Sequence, residues 1–158
     1  QVYVPSDPAF GTIDYSWQAA NPVHGTLADV TYPTPLSTNP VGSHPLAVYT
    51  PPNYDPNRGV PYPTLYLSHG GSGNEVDWST QGVAGNIIDN LIASHQVQPM
   101  VVVMTNFNDL GDGSVAAYAQ DVVNNVIPYV EANYNVSKKA ADRAFAGLSA
   151  GGAHFSFP

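Results

Sequence analysis

Arg143-Ala144-Phe145-Ala146-Gly147-Leu148-Ser149-Ala150-Gly151-Gly152 reads as a short strand running straight into a Gly-x-Ser-x-Gly turn. The spacing has a physical reason. A serine placed on a sharp strand-to-helix turn has a strained backbone, so the positions two residues either side of it must be small. The turn lifts the hydroxyl clear of the sheet and aims the amide of the next residue at a developing oxyanion, and the helix that starts there adds its positive end. Ser149 is therefore the candidate nucleophile, and Ala150 a candidate oxyanion donor.

Working outward, Thr64-Leu65-Tyr66-Leu67-Ser68 is a second short apolar strand, followed at once by His69-Gly70-Gly71-Ser72-Gly73. A glycine-rich turn at a strand end lets backbone amides come close to a bound group. Gly71, with Gly70 beside it, is the candidate for the second oxyanion donor. The turn is not a phosphate-binding P-loop, since no Gly-Lys-Ser/Thr follows. Pro99-Met100-Val101-Val102-Val103-Met104-Thr105 is an uninterrupted apolar run of the kind buried on both faces of a parallel sheet. Ala84, Ile87, Ile88, Leu91 and Ile92 recur at helical spacing, as do Val115, Ala119, Val122, Val123, Val126, Ile127 and Val130. Pro128 lies inside the second pattern and is expected to bend or break that helix near Asn124. Strand, helix, strand, helix, strand predicts an α/β fold with parallel strands.

The first part of the chain is different. Twelve of the fifteen prolines fall within the first 63 residues, which favours extended loops and edge strands. Residues 1–24 read as an irregular arm. Gly25–Tyr32 and His44–Thr50 read as a hairpin-like antiparallel pair around a loop from Pro33 to Ser43.

Composition excludes several partners. Four basic against twelve acidic residues, a net charge of −8, cannot neutralise a nucleic-acid backbone. No apolar run approaches the roughly 18 residues that span a bilayer, and no basic amphipathic helix suits a membrane surface. Only 10% of residues are charged, against about 25% in an average globular protein. The absence of cysteine excludes a disulfide scaffold and cysteine-ligated metals. The histidines show no metal-ligand spacing, and Asp109 and Asp112 lack the alternation of a calcium loop and read as a solvated turn. His69 reads as a structural hydrogen-bonding residue at a strand end. His154 lies on the helix that leads away from Ser149, and His24, His44 and His95 read as surface or loop residues. Trp78 and Phe107, beside strand ends, are candidates for a substrate cleft.

Residues 25–155 resemble the carbohydrate esterases of family 1 and their esterase D relatives, a group that includes feruloyl and acetyl-xylan esterases. The resemblance is carried by Val48-Tyr49-Thr50-Pro51-Pro52-Asn53-Tyr54, Tyr62 to Gly71, Gly73-Asn74-Glu75-Val76-Asp77-Trp78, Asn86 to Ala93, Pro99 to Asn106, Ile127 to Glu131 and Asp142 to Ser149, in that order. It implies an α/β-hydrolase fold, a Ser-acid-His triad with Ser149 as nucleophile, and no cofactor. It also implies an extracellular enzyme acting on ester-decorated plant polysaccharide or a small aryl ester. In this fold the acid and histidine follow the serine in chain order, and only nine residues follow Ser149. The expectation is thus an arm (1–24) and the N-terminal part of a hydrolase domain (25–158), truncated after the nucleophile turn. Little activity is expected of the chain alone, and its exposed sheet edge is expected to be open to self-association. Two other readings share the scaffold: a non-catalytic carbohydrate-binding module and an acyltransferase of the mycolyltransferase type.

Overall fold

The computed structural model describes residues 15–155; Pro5, Pro8 and most of the predicted arm lie outside them. The elements are β1 (Thr26–Thr38), β2 (Val41–Thr50), β3 (Thr64–Ser68), α1 (Asp77–Thr80), α2 (Ala84–Ala93), β4 (Val101–Thr105), α3 (Val115–Asp121), a π-helical stretch (Val122–Val126), α4 (Ile127–Asn133), β5 (Arg143–Gly147) and α5 (Ala150–Phe155). They build one sheet in the order β1-β2-β4-β3-β5. β3 is parallel to both β4 and β5, while β2 is antiparallel to β4 and to β1.

Alternation across the strands divides the core in two. Leu46, Val48, Tyr66, Val101 and Val103 point to the face covered by Val126 and Val130. Ala47, Tyr49, Leu67, Val102 and Met104 point to the face covered by Ala84, with Trp78 and Ile88 against it. All five residues of β4 are buried, which is why that strand has no polar face to show in the sequence.

The helix with Pro128 behaves as its chemistry requires. Proline has no N–H for the carbonyl four residues back and its ring collides with it. The backbone answers by widening over Val122–Val126 before Pro128 enters the first turn of α4. The start of α3 is capped by Ser114, whose Oγ accepts the Ala117 N–H at 3.1 Å.

Two expectations are corrected. Pro33–Ser43 is not a loop: β1 continues to Thr38, β2 begins at Val41, and only Asn39 and Pro40 make the turn. Prolines are tolerated there because β1 is an edge strand, with one side that needs no ladder donor. The far half of β1 finds other partners, Gly111 N–H donating to Leu36 O at 2.7 Å and Thr38 N–H to Asp109 O at 2.8 Å. The second correction is His44, which is a buried strand residue. Its Nε2 donates to the Asn106 carbonyl at 3.2 Å and its Nδ1 lies 3.0 Å from Ser37 Oγ. A period-two pattern shows which face a residue takes, but not that a histidine on that face will find two partners from distant segments.

Two buried carboxylates fasten the hairpin to the helices. Asp121 accepts from the Tyr32 and Thr34 hydroxyls and from Asn125 Nδ2. Asp89 accepts from Tyr49 Oη at 2.6 Å and from the Gly25 N–H at 2.8 Å. Residues 17–19 are strapped to α2, Asn86 Nδ2 donating to Gln18 O and Asn90 Nδ2 to Trp17 O and Ala19 O. Among the described residues no helix is long and apolar enough to cross a membrane.

Candidate active site

Register alone brings three loops together. Ser68 at the end of β3 pairs with Thr105 at the end of β4 and with Gly147 at the end of β5. The loops starting at His69, Asn106 and Leu148 therefore leave the sheet side by side, at the carboxyl ends of the parallel strands, where open α/β sheets place their sites.

Ser149 occupies the left-handed region at φ +52° and is exposed. A non-glycine residue in that region is strained, and such strain is typical of functional turns. The glycines around it are dictated by space. A Cβ on Gly151 would stand 2.7 Å from Ser68 O and closer still to His69 O; one on Gly147 would stand 2.5 Å from Gly152 N and closer to Gly151. Both positions press backbone against backbone, so the turn closes only without side chains. Leu148 N–H donates to Ser68 O at 3.2 Å and Gly151 N–H to Leu148 O at 2.9 Å. The Ala150 amide heads α5, with no protein acceptor among the described residues.

The His69–Gly73 loop runs alongside. Gly70 lies against the residue before the serine, a Cβ there standing 3.5 Å from Leu148 Cδ2 and 3.6 Å from Leu148 O. Gly71 is exposed, and nothing of the chain comes within 4 Å of a Cβ built on it. The structure thus brings Gly70, Gly71, Ser149 and Ala150 to one end of the sheet.

His69 is buried, with Nδ1 donating to Gly70 O at 2.7 Å and Nε2 accepting the Phe107 N–H at 3.4 Å. Phe107 stacks on the His69 ring with centroids 3.9 Å apart and meets the His154 ring edge-on at 4.4 Å. Burial, with His69 nearby, holds His154 below the ordinary histidine value. Trp78 is half-buried on the core of the α2 face, and its Nε1–H donates to Ser68 O at 3.0 Å. Trp78 and Phe107 therefore both support the loops. Among the described residues no histidine or carboxylate is hydrogen-bonded to the Ser149 hydroxyl, and no group of acidic or histidine side chains has the arrangement to hold a metal ion.

Sequence reading missed Glu75, Asn106 and Asn108. Asn106 Nδ2 donates to Glu75 Oε2 at 2.7 Å, and Asn108 Nδ2 to Gly73 O at 2.8 Å. The only signal was a pair of asparagines two residues apart after a buried strand, which equally describes an ordinary turn.

Residues 37–155 match the protein family Esterase. Over 139 residues the chain is 34% identical to an endo-1,4-beta-xylanase/feruloyl esterase of Xylanibacter ruminicola, a match covering 82% of this chain and 19% of that protein. Over 122 residues it is 34% identical to endo-1,4-beta-xylanase Y of Acetivibrio thermocellus, covering 70% of this chain and 11% of the other. The solved feruloyl esterase module from Clostridium thermocellum, complexed with sinapinate, superposes with a TM-score of 0.75 at 31% identity, covering 90% of this chain and 51% of that one. A ferulic acid esterase from Anaeromyces mucronatus shares the fold with a TM-score of 0.76 at 19% identity, covering 88% and 55%. The sheet is thus of the α/β-hydrolase type, and the chain spans about half the length of these solved structures.

Proposed function

This chain belongs to the Esterase family, and from that premise we propose that it is the nucleophile-bearing part of a serine carboxylesterase that cleaves feruloyl-type esters on plant cell-wall polysaccharide, outside the cell. The observation that carries the reading is Ser149 itself. It is exposed on a left-handed turn between β5 and α5, with the Gly70–Gly71 loop packed against the preceding residue. The xylanase/feruloyl esterase relative and the sinapinate-bound module support the substrate class.

In the proposed reaction Ser149 Oγ attacks the ester carbonyl carbon and its proton passes to a histidine base. The carbonyl π electrons move onto oxygen, and the amides of Gly71 and Ala150 receive that oxyanion. Collapse expels the sugar alkoxide, which takes the proton, and leaves an acyl-serine. Water then attacks the acyl carbon by the same route and releases the carboxylic acid. No cofactor is required. His69 is engaged by its own hydrogen bonds and His154 packs edge-on against Phe107, neither being hydrogen-bonded to Ser149 among the described residues, so the base and its acid partner are assigned to the part of the fold beyond the half matched here.

The test is hydrolysis of a feruloylated arabinoxylan oligosaccharide by the full-length protein. Serine-dependent release of ferulate, abolished by Ser149→Ala, is expected. Undiminished turnover by Ser149→Ala overturns the proposal. Acyl transfer to a sugar alcohol outpacing hydrolysis overturns the hydrolytic part of it.

A further inference from the structure

The loop bearing Gly70 and Gly71 has little apolar anchorage of its own; Gly71, Ser72 and Asn74 are exposed, and Ser72 sits at φ +65°. Besides its own Gly73 N–H to Gly70 O bond at 3.2 Å and the His69–Phe107 stack, it is held by polar contacts made by the loop after β4. Asn106 is buried at the centre of them. Its Nδ2 donates to Glu75 Oε2 at 2.7 Å, and its Oδ1 accepts the Asn108 N–H at 2.8 Å and lies 3.3 Å from His69 Nε2. Its backbone carbonyl accepts from His44 Nε2 at 3.2 Å. A carboxylate can only accept, so the contact with Glu75 fixes which way the amide points. Asn108 adds a second hold on the same loop at Gly73 O. Asn106 thus joins β2 through its backbone carbonyl and the loop after β3 through its side-chain contact with Glu75.

We propose that Glu75 and Asn106 are positioning residues that hold residues 69–75 in register with Ser149, so that the loop amide is aimed at the oxyanion before substrate arrives. The inference rests on the esterase reading. Charge-assisted hydrogen bonds in a partly desolvated place are strong and directional, and oxyanion stabilisation depends on donors whose position is set in advance. Neither residue touches the reacting atoms; each acts through the loop backbone.

Two readouts on the full-length protein test the proposal: backbone hydrogen exchange of residues 69–76, and kcat and KM for an activated aryl ester. Glu75→Ala and Asn106→Asp are expected to speed exchange in that segment and to lower kcat by about tenfold to a hundredfold, less than the loss of a whole oxyanion donor, with KM little changed. Glu75→Gln keeps an accepting oxygen and is expected to stay near the parent in both readouts. The double change Glu75→Gln with Asn106→Asp reverses donor and acceptor and is expected to recover most of what Asn106→Asp loses. Unchanged exchange and kcat in Glu75→Ala would overturn the proposal, as would a reversed pair no better than Asn106→Asp alone. If Asn106→Asp does not fold, Glu75→Ala against Glu75→Gln decides, because Glu75 is a half-buried loop residue. Exchange needs no chemistry. A parent protein that hydrolyses no ester sinks the esterase reading, while the exchange data still judge the clamp.

Discussion

The indole N–H of Trp78 and the carbonyl of Ser68 are joined at 3.0 Å, and that carbonyl also accepts the Leu148 N–H at 3.2 Å. A side chain on α1 and the backbone entering the nucleophile turn therefore share one oxygen at the end of β3. Trp78→Phe keeps most of the apolar packing and removes only the N–H. Because Ser68 O retains Leu148, the expected loss of stability is about 1 kcal/mol, read from a denaturation midpoint. The expected fall in kcat is severalfold, since the Ser68 carbonyl that receives the serine turn's Leu148 N–H is less firmly held. A drop in stability of about 4 kcal/mol, the range of a large core truncation, would show that Trp78 is mainly a packing residue.

Gly151→Ala drives a methyl group against Ser68 O and His69 O. The colliding atoms are backbone and have no rotamer into which to retreat. Overpacking of this kind costs about 1–3 kcal/mol, and relief comes by opening the turn at Ser149. The expected result is a lower melting temperature together with loss of serine reactivity toward a fluorophosphonate probe. Gly71→Ala, where a Cβ meets nothing within 4 Å, is expected to leave the melting temperature unchanged.

Removing Asp121 leaves two hydroxyls and an amide without their acceptor in a buried place. Asp121→Ala is expected to destabilise the fold by about 3 kcal/mol, the sum of unsatisfied donors and a small cavity. Measured by urea denaturation, it should exceed the effect of Asn125→Ala, which removes one donor and leaves the carboxylate its two hydroxyls.

Stability is expected to fall with acid. Burial lowers the His44 pKa, outweighing the nearby Asp121, Glu75 and Asp109 charges and the Asn106 carbonyl, which raise it. A histidine whose folded value lies below its unfolded one binds more protons when unfolded, so stability rises with pH. The contribution is whole above the ordinary value of about 6.5 and is lost as pH falls through that value toward the lower folded one. His154 is shifted in the same direction by burial and His69. His44→Gln is expected to flatten the melting-temperature profile between neutral and mildly acidic pH, while lowering it throughout. A parent profile flat over that range would contradict the assignment.

The parts of this protein that were legible in the sequence are those encoded by neighbours along the chain. Alternation and helical spacing placed β3, β4, α2 and the α3–α4 region, because each element must bury one face and the pattern records which. Pro128 marked the widened turn because a missing N–H is a local fact. The Gly-x-Ser-x-Gly turn was legible because backbone crowding at Gly147 and Gly151 leaves no alternative to glycine there. The true length of β1, the burial of His44 and the Glu75–Asn106 contact were not legible. Each depends on partners dozens of residues away: Asp109 for Thr38, Asn106 for His44, and a strand-end asparagine for a loop carboxylate. The sequence by itself therefore determined the buried parallel strands, the strained serine and the bare glycine loop. Only the tertiary structure decided what holds that loop beside the serine, because a hydrogen bond between distant segments leaves no periodic trace in the chain.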